Sequence, residues 1–92
     1  MYVVVFKAKI NVLDDDYAQT AQELRDRALK HFGCVNFQAV TEGDTEIALS
    51  YWNSLDDIKR WKNDPHHLKA QRRGKAQWYK ETAVEVCQIV YP

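Results

Sequence analysis

Ninety-two residues carrying 13 basic and 13 acidic side chains, with 46% apolar content, make one small domain spanning 1–92. The balanced charge excludes a bulk electrostatic attraction to nucleic acid or an anionic membrane, and the apolar content excludes wholesale disorder. The apolar run Val3-Val4-Val5-Phe6 is far short of the roughly 20 residues that a membrane span needs. The chain start has neither the basic residues nor the apolar length of a secretory signal, so a cytoplasmic protein is expected. Cys34 and Cys87 lie in strand-like segments without C-x-x-C spacing and read as free thiols.

In chain order, Tyr2–Val12 predicts a strand. Tyr2, Val4, Phe6, Ala8, Ile10 and Val12 share one face, and Val3, Val5, Lys7, Lys9 and Asn11 the other. A strand apolar on both faces for half its length needs cover on both sides there. A domain this small has helices for only one side, so the second cover is expected from another copy. Asp14-Asp15-Asp16 then opens a helix, its acids suited to the positive end of the dipole. Tyr17, Ala21, Leu24, Ala28 and Phe32 form the buried stripe, while Gln19, Glu23, Arg25, Asp26, Arg27 and Lys30 form the wet side. The acid triplet reads as solvated capping charge, because adjacent acids on a helix diverge too far to share a metal. Gly33 is the expected stop.

Residues 33–52 predict a hairpin turning at Glu42-Gly43-Asp44, with Val35, Phe37 and Ala39 on one face of its first strand. Its second strand sets Ile47, Leu49 and Tyr51 against Glu46, Ala48, Ser50 and Trp52, and the second face is again mixed, as if it meets something. Ser54, with an acid three residues on, starts a short helix bearing Leu55, Ile58 and Trp61 on one side. Asp64-Pro65 starts another, since Asp caps orphan amides and proline at the first helical position loses no hydrogen bond. The residue before proline avoids the α region, so the first of these helices ends near Asn63. On the second, His67, Gln71, Gly74 and Trp78 recur at +4, +7 and +11, within a stripe roughly 60° wide. Thr82–Tyr91 completes the chain as a strand. The fold class is therefore α+β: a ferredoxin-like β-α-β-β-α-β order with an antiparallel sheet and a second helix broken at Asp64-Pro65.

No phosphate-binding glycine loop, Ser-His-Asp spacing or metal pair is present. His66 and His67 project about 100° apart and do not readily share one ion, so no metal site is expected. His67 is either a polar group lining a cavity or a histidine that hydrogen-bonds across the helix break. Each of Trp52, Trp61 and Trp78 is core or pocket wall. Taken with His67, Gln71 and Asn36, they compose an apolar lining with a few polar groups, as small-molecule sites have. The expected cavity lies between broken helix and sheet, with Asn36 opposite and Lys69, Arg73 and Lys80 outside. Gly74, costly inside a helix, points to close packing against another backbone or to space for a ligand.

The string Y-W-x-S-x-x-x-I-x-x-W-K-x-D-x-x-H-x-x-A-Q-x-x-G-K-x-x-W-Y, running from Tyr51 to Tyr79, resembles the antibiotic biosynthesis monooxygenase family of dimeric α/β-barrel proteins. Phe32-Gly33 and Lys75 stand where that family usually has Pro-Gly and arginine. The resemblance implies a homodimer joined through its sheet faces and a small hydrophobic or aromatic ligand. It also implies cofactor-independent monooxygenation of a phenol-, anthrone- or quinone-type substrate. His67, Gln71 and Asn36 would then be catalytic, with Trp61, Trp78, Trp52 and Tyr79 binding substrate. A haem-binding or haem-degrading monooxygenase is the alternative within the family. Its ligating histidine falls at Gln71, and an amide is a poor iron ligand beside imidazole. A non-catalytic ligand-binding dimer has the same composition.

Overall fold

The computed structural model describes residues 1–90. Strand β1 (Tyr2–Ile10) leads to helix α1 (Asp15–His31) and the hairpin β2 (Cys34–Glu42) and β3 (Thr45–Trp52). Two short helices, α2 (Leu55–Lys62) and α3 (Pro65–Arg73), precede a π-helical turn at Gly74–Trp78 and the strand β4 (Tyr79–Gln88). The four strands form one antiparallel sheet in the order β2-β3-β1-β4. This is the ferredoxin-like arrangement that the residue pattern predicts. Among the described residues, no helix is long and apolar enough to cross a membrane.

The predicted caps set the helix boundaries. The Asp14 carboxylate accepts the Tyr17 amide at 2.8 Å, Ser54 accepts that of Asp57 at 3.1 Å, and Asp64 accepts that of His67 at 3.2 Å. Asp64 also receives Arg27 at 2.6 Å and is buried, so the break between α2 and α3 is tied directly to α1. Burial alone would raise the Asp64 pKa. The bond from Arg27, the His67 amide and the charges of Arg27 and His66 outweigh that and hold it below the usual value. Gly33 turns the chain out of α1 at φ +84°, and Gly43 turns the hairpin at φ +61°.

Three boundaries differ from the pattern-based ones. β1 ends at Ile10, short of Val12. β4 begins at Tyr79 and ends at Gln88, whereas the pattern starts it at Thr82 and runs it to Tyr91, which lies outside the described residues. The last helix closes in a wide turn whose Tyr79 amide reaches back to the Gly74 carbonyl, five residues earlier.

Strand register assigns the faces. Val4, Phe6 and Ala8 stand opposite Ser50, Ala48 and Glu46 on the helix side, with Phe37 and Ala39 beyond them on β2. Val3, Val5 and Lys7 stand opposite Tyr51, Leu49 and Ile47 on the side without helices. The mixed row of β3 therefore meets the helices, and its apolar row faces away. The packed core occupies one end of the sandwich: Ala28, Cys34, Trp52, Ile58 and Trp61, joined by Tyr2, Val4, Leu24, Phe32 and Phe37. Cys34 and Cys87 are both free. Burial pushes the Cys34 thiol pKa up despite hydrogen bonds with the Tyr51 and Asn36 backbone, which disfavours the thiolate.

Candidate functional site

From the edge of the packed core toward the other end of the sandwich, the two layers part around a cavity of about 550 Å³. Its floor is the helix side of the sheet, from Phe37 and Ala39 across Ser50, Ala48 and Glu46 to Val4, Phe6, Thr82 and Val84. Its roof is α1 through Tyr17, Ala21 and Leu24, and the broken helix through Trp61, His67, Gln71, Gly74 and Trp78. β4 leaves one side open, since Val84 is 48% exposed.

The predicted stripe of His67, Gln71, Gly74 and Trp78 thus faces the cavity, together with Trp61 and Tyr79. Lys69, Arg73 and Lys80 are absent from its wall. His67 is half-buried and stacks on Trp61, ring centroids 4.5 Å apart and planes 12° from parallel. Its Nδ1 lies 3.1 Å from the Trp61 carbonyl oxygen. A carbonyl only accepts, so Nδ1 carries the proton and Nε2 is left with the ring's lone pair. Burial lowers the His67 pKa against the opposing effects of that carbonyl and Asp64, which favours the neutral ring. Both readings of His67 hold together, because it bonds across the helix break and lines the cavity.

Two predicted site residues are placed elsewhere. Asn36 pairs in register with Tyr51 on the face away from the helices. The irregularity between Cys34 and Asn36 shifts the strand so that Phe37, not Asn36, stands on the cavity side. The Asn36 side chain instead accepts the Phe37 amide at 2.9 Å. Trp52 is completely buried behind Trp61, their centroids 6.4 Å apart, and donates its Nε1 to Ser50 Oγ at 2.8 Å. It is core, not cavity wall.

Gly74 fits neither predicted reason. A Cβ there would lie 3.1 Å from the Tyr79 ring, so the close approach is to a side chain, not to backbone or open space. Asp14 departs from a purely solvated cap. It also accepts Trp78 Nε1 at 3.1 Å and Gln77 Nε2 at 2.9 Å, clamping the π-helical turn to the start of α1.

Residue patterning missed Glu46 and Arg25. Glu46 is buried on the cavity floor and receives the hydroxyls of Tyr17, from α1, and Tyr79, at 2.8 Å. Burial raises its pKa, partly offset by the Tyr79 bond, and the Tyr79 phenol is raised by burial and by Glu46. A carboxylate at an alternating position of a strand is the available signal, but solvated edge charges give the same pattern. Arg25, assigned above to the wet side of α1, lines the cavity with its guanidinium 5.3 Å from the centre of the Phe37 ring. Arg27 likewise turns inward, to Asp64. Glu46 and Trp52 lie six residues apart on β3, roughly 20 Å along the strand. The Glu46 end is thus well separated from the Trp52–Trp61–His67 end.

The antibiotic biosynthesis monooxygenase family model matches residues 1–73. The chain belongs to that family. The match ends at Arg73, so Gly74, Trp78 and Tyr79 fall beyond it. A relative in sequence, the uncharacterized protein YqjZ of Bacillus subtilis strain 168, is 32% identical over 89 residues, covering 96% of this chain and 78% of that protein. Among solved structures, SnoaB, a cofactor-independent oxygenase from Streptomyces nogalater, superposes with a TM-score of 0.82. It is 12% identical, with 99% of this chain and 94% of that one covered. A putative antibiotic biosynthesis monooxygenase from Nitrosomonas europaea gives 0.81 at 12% identity, covering 99% and 100%. At such identities the structural likeness establishes the monooxygenase-like fold.

Proposed function

We propose that this chain is a cofactor-independent monooxygenase acting on a small aromatic substrate of phenol or anthrone type. The observation that carries the reading is the apolar cavity in which a neutral His67 keeps Nδ1 on the Trp61 carbonyl and Nε2 as a proton acceptor. The family match and the cofactor-independent neighbour support the reaction class. Gln71, at the place of the family's haem-ligating histidine, supports the cofactor-free branch.

In this reading Trp61, Trp78 and Tyr79 hold the aromatic rings, and His67 takes a proton from the bound substrate. The resulting carbanion–enolate is electron-rich enough to reduce dioxygen directly. A ring methylene plus O₂ becomes a ring carbonyl plus water, through a hydroperoxide that eliminates water. No external electrons are needed. Gln71, at the exposed rim, donates to the developing oxyanion. Asn36 has no part in this cavity.

The catalytic unit is a homodimer in which Val3, Val5, Ile47, Leu49 and Tyr51, the sheet face without helices, meet the same face of a second copy. The deciding experiment is oxygen uptake with 1,8-dihydroxyanthrone. The expected result is enzyme-dependent uptake that disappears in both His67→Ala and His67→Asn while circular dichroism stays native. Folded variants retaining the wild-type rate would remove His67 from the chemistry. The absence of any enzyme-dependent uptake would remove this substrate type.

A further inference from the structure

Arg25 stands out among the polar groups of the cavity wall. The wall carries three cations, Arg25, Lys62 and Lys75, against one carboxylate, Glu46, and the Glu46 oxygens are engaged by Tyr17 and Tyr79. Lys62 and Lys75 are exposed and solvated at the rim. Arg25 is part-buried, its guanidinium lies over the Phe37 ring at 5.3 Å, and its Nε is shut off from water with no acceptor. Among the described residues no carboxylate pairs with it, whereas neighbouring Arg27 has Asp64 at 2.6 Å.

A buried N–H without a partner is costly, and a surface helix position gives arginine an easy way to avoid that cost by extending into water. An arginine held at an apolar cavity wall by an aromatic face, without a carboxylate partner, is suited to a ligand that brings the acceptor to the terminal nitrogens of its guanidinium. The guanidinium fork offers parallel N–H groups matching the two oxygens of a carboxylate, a geometry that a lysine ammonium does not reproduce. The excess of cations around the wall favours the same sign of ligand.

We propose that Arg25 is the specificity-determining residue of the cavity and that its ligand is an aromatic carboxylate. The flat rings lie between the Phe37 and Trp78 ends of the wall, and the acid group sits on the Arg25 guanidinium. This rests on the reading of the cavity as a site for small aromatic molecules and narrows the substrate class within it. His67 remains the proton acceptor, and Arg25 touches the acid group without entering the redox chemistry.

The test compares 2-naphthoate with its neutral counterpart 2-naphthylmethanol by isothermal titration calorimetry on the full chain. The wild type should bind the carboxylate at least about ten-fold tighter, the usual scale of one charge-assisted pairing. Arg25→Met should erase that preference while changing affinity for the alcohol less than about two-fold. Arg25→Lys should restore part of it, which also covers the case in which the methionine variant does not fold. Equal wild-type affinities for the two probes overturn the proposal while leaving the cavity reading intact. A preference that survives in folded Arg25→Met overturns it too, since the rim lysines then hold the anion. An equal loss for both probes in that variant makes Arg25 a structural residue. Failure of both probes to bind the wild type overturns the cavity reading itself and this proposal with it.

Discussion

In the proposed reading a single backbone contact sets His67 up as a base. Its Nδ1 proton is fixed on the Trp61 carbonyl, and burial keeps imidazolium unfavourable. If the neutral ring takes the proton, kcat/KM falls as pH drops and His67 becomes charged. Because its pKa is depressed, that acid limb should have its midpoint below the ordinary 6.5. A midpoint above 6.5 in the pH–rate profile would assign the limb to another group. Glu46 poses the opposite case, a carboxylate whose pKa burial raises and Tyr79 partly restores. Tyr79→Phe removes a donor from the buried anion and should cost about 1–3 kcal/mol at pH 7. The variant's Glu46 pKa is raised further, so protonation relieves the deficit. The gap from wild type should narrow in denaturant titrations as pH falls toward 4.5, the unperturbed carboxyl value. A gap that stayed constant with pH would mean the hydroxyl matters for packing alone.

At the scale of elements, the π-helical turn decides which side chains reach the cavity. An α-helical ending would carry Trp78 and Tyr79 round by about 100° each. The wide turn instead leaves Trp78 against Asp14 and starts β4 at Tyr79, whose ring meets Tyr17 and Phe6 edge-on at 6.2 and 5.5 Å. Gly74 permits this ring position. Its backbone is ordinary right-handed helix, φ −58° and ψ −48°, so conformation alone would accept alanine. The methyl would gain about 1 kcal/mol of helix propensity but strike a ring that Glu46 anchors. Overpacking of this kind costs about 1–3 kcal/mol. Gly74→Ala should therefore lower the melting temperature modestly; a rise would show that the Tyr79 ring yields freely.

For the whole molecule, the sheet face without helices is the surface that the chain's own elements leave uncovered. Val3, Val5, Ile47, Leu49 and Tyr51 form a contiguous apolar patch there, of the kind that marks an interface. Light scattering at micromolar concentration is expected to give twice the chain mass. Leu49→Asp places a charge at the centre of the patch and should halve that mass or unfold the chain. A wild-type monomer with native circular dichroism would exclude the dimer.

The sequence by itself determined the element order, the helix break and the cavity-facing stripe, because these are local. Ser54 and Asp64-Pro65 write their own helix starts, and a helical period of 3.6 residues puts His67, Gln71 and Gly74 on one side whatever they face, while the π-helical turn sets where Trp78 joins them. Which sheet face receives the helices was decided by the tertiary structure, since both faces of β1 and β3 carry apolar residues. The irregularity after Cys34 removed Asn36 from the cavity, as an offset of one residue reverses a strand's faces. Trp52 became core for a similar reason: it lies at the closed end of the sandwich, where α2 brings Trp61 over it. Arg25 and Glu46 look like surface charges in one dimension. Their roles come from partners far away in the chain, Tyr17 and Tyr79 for Glu46 and Phe37 for Arg25, which only folding brings within reach.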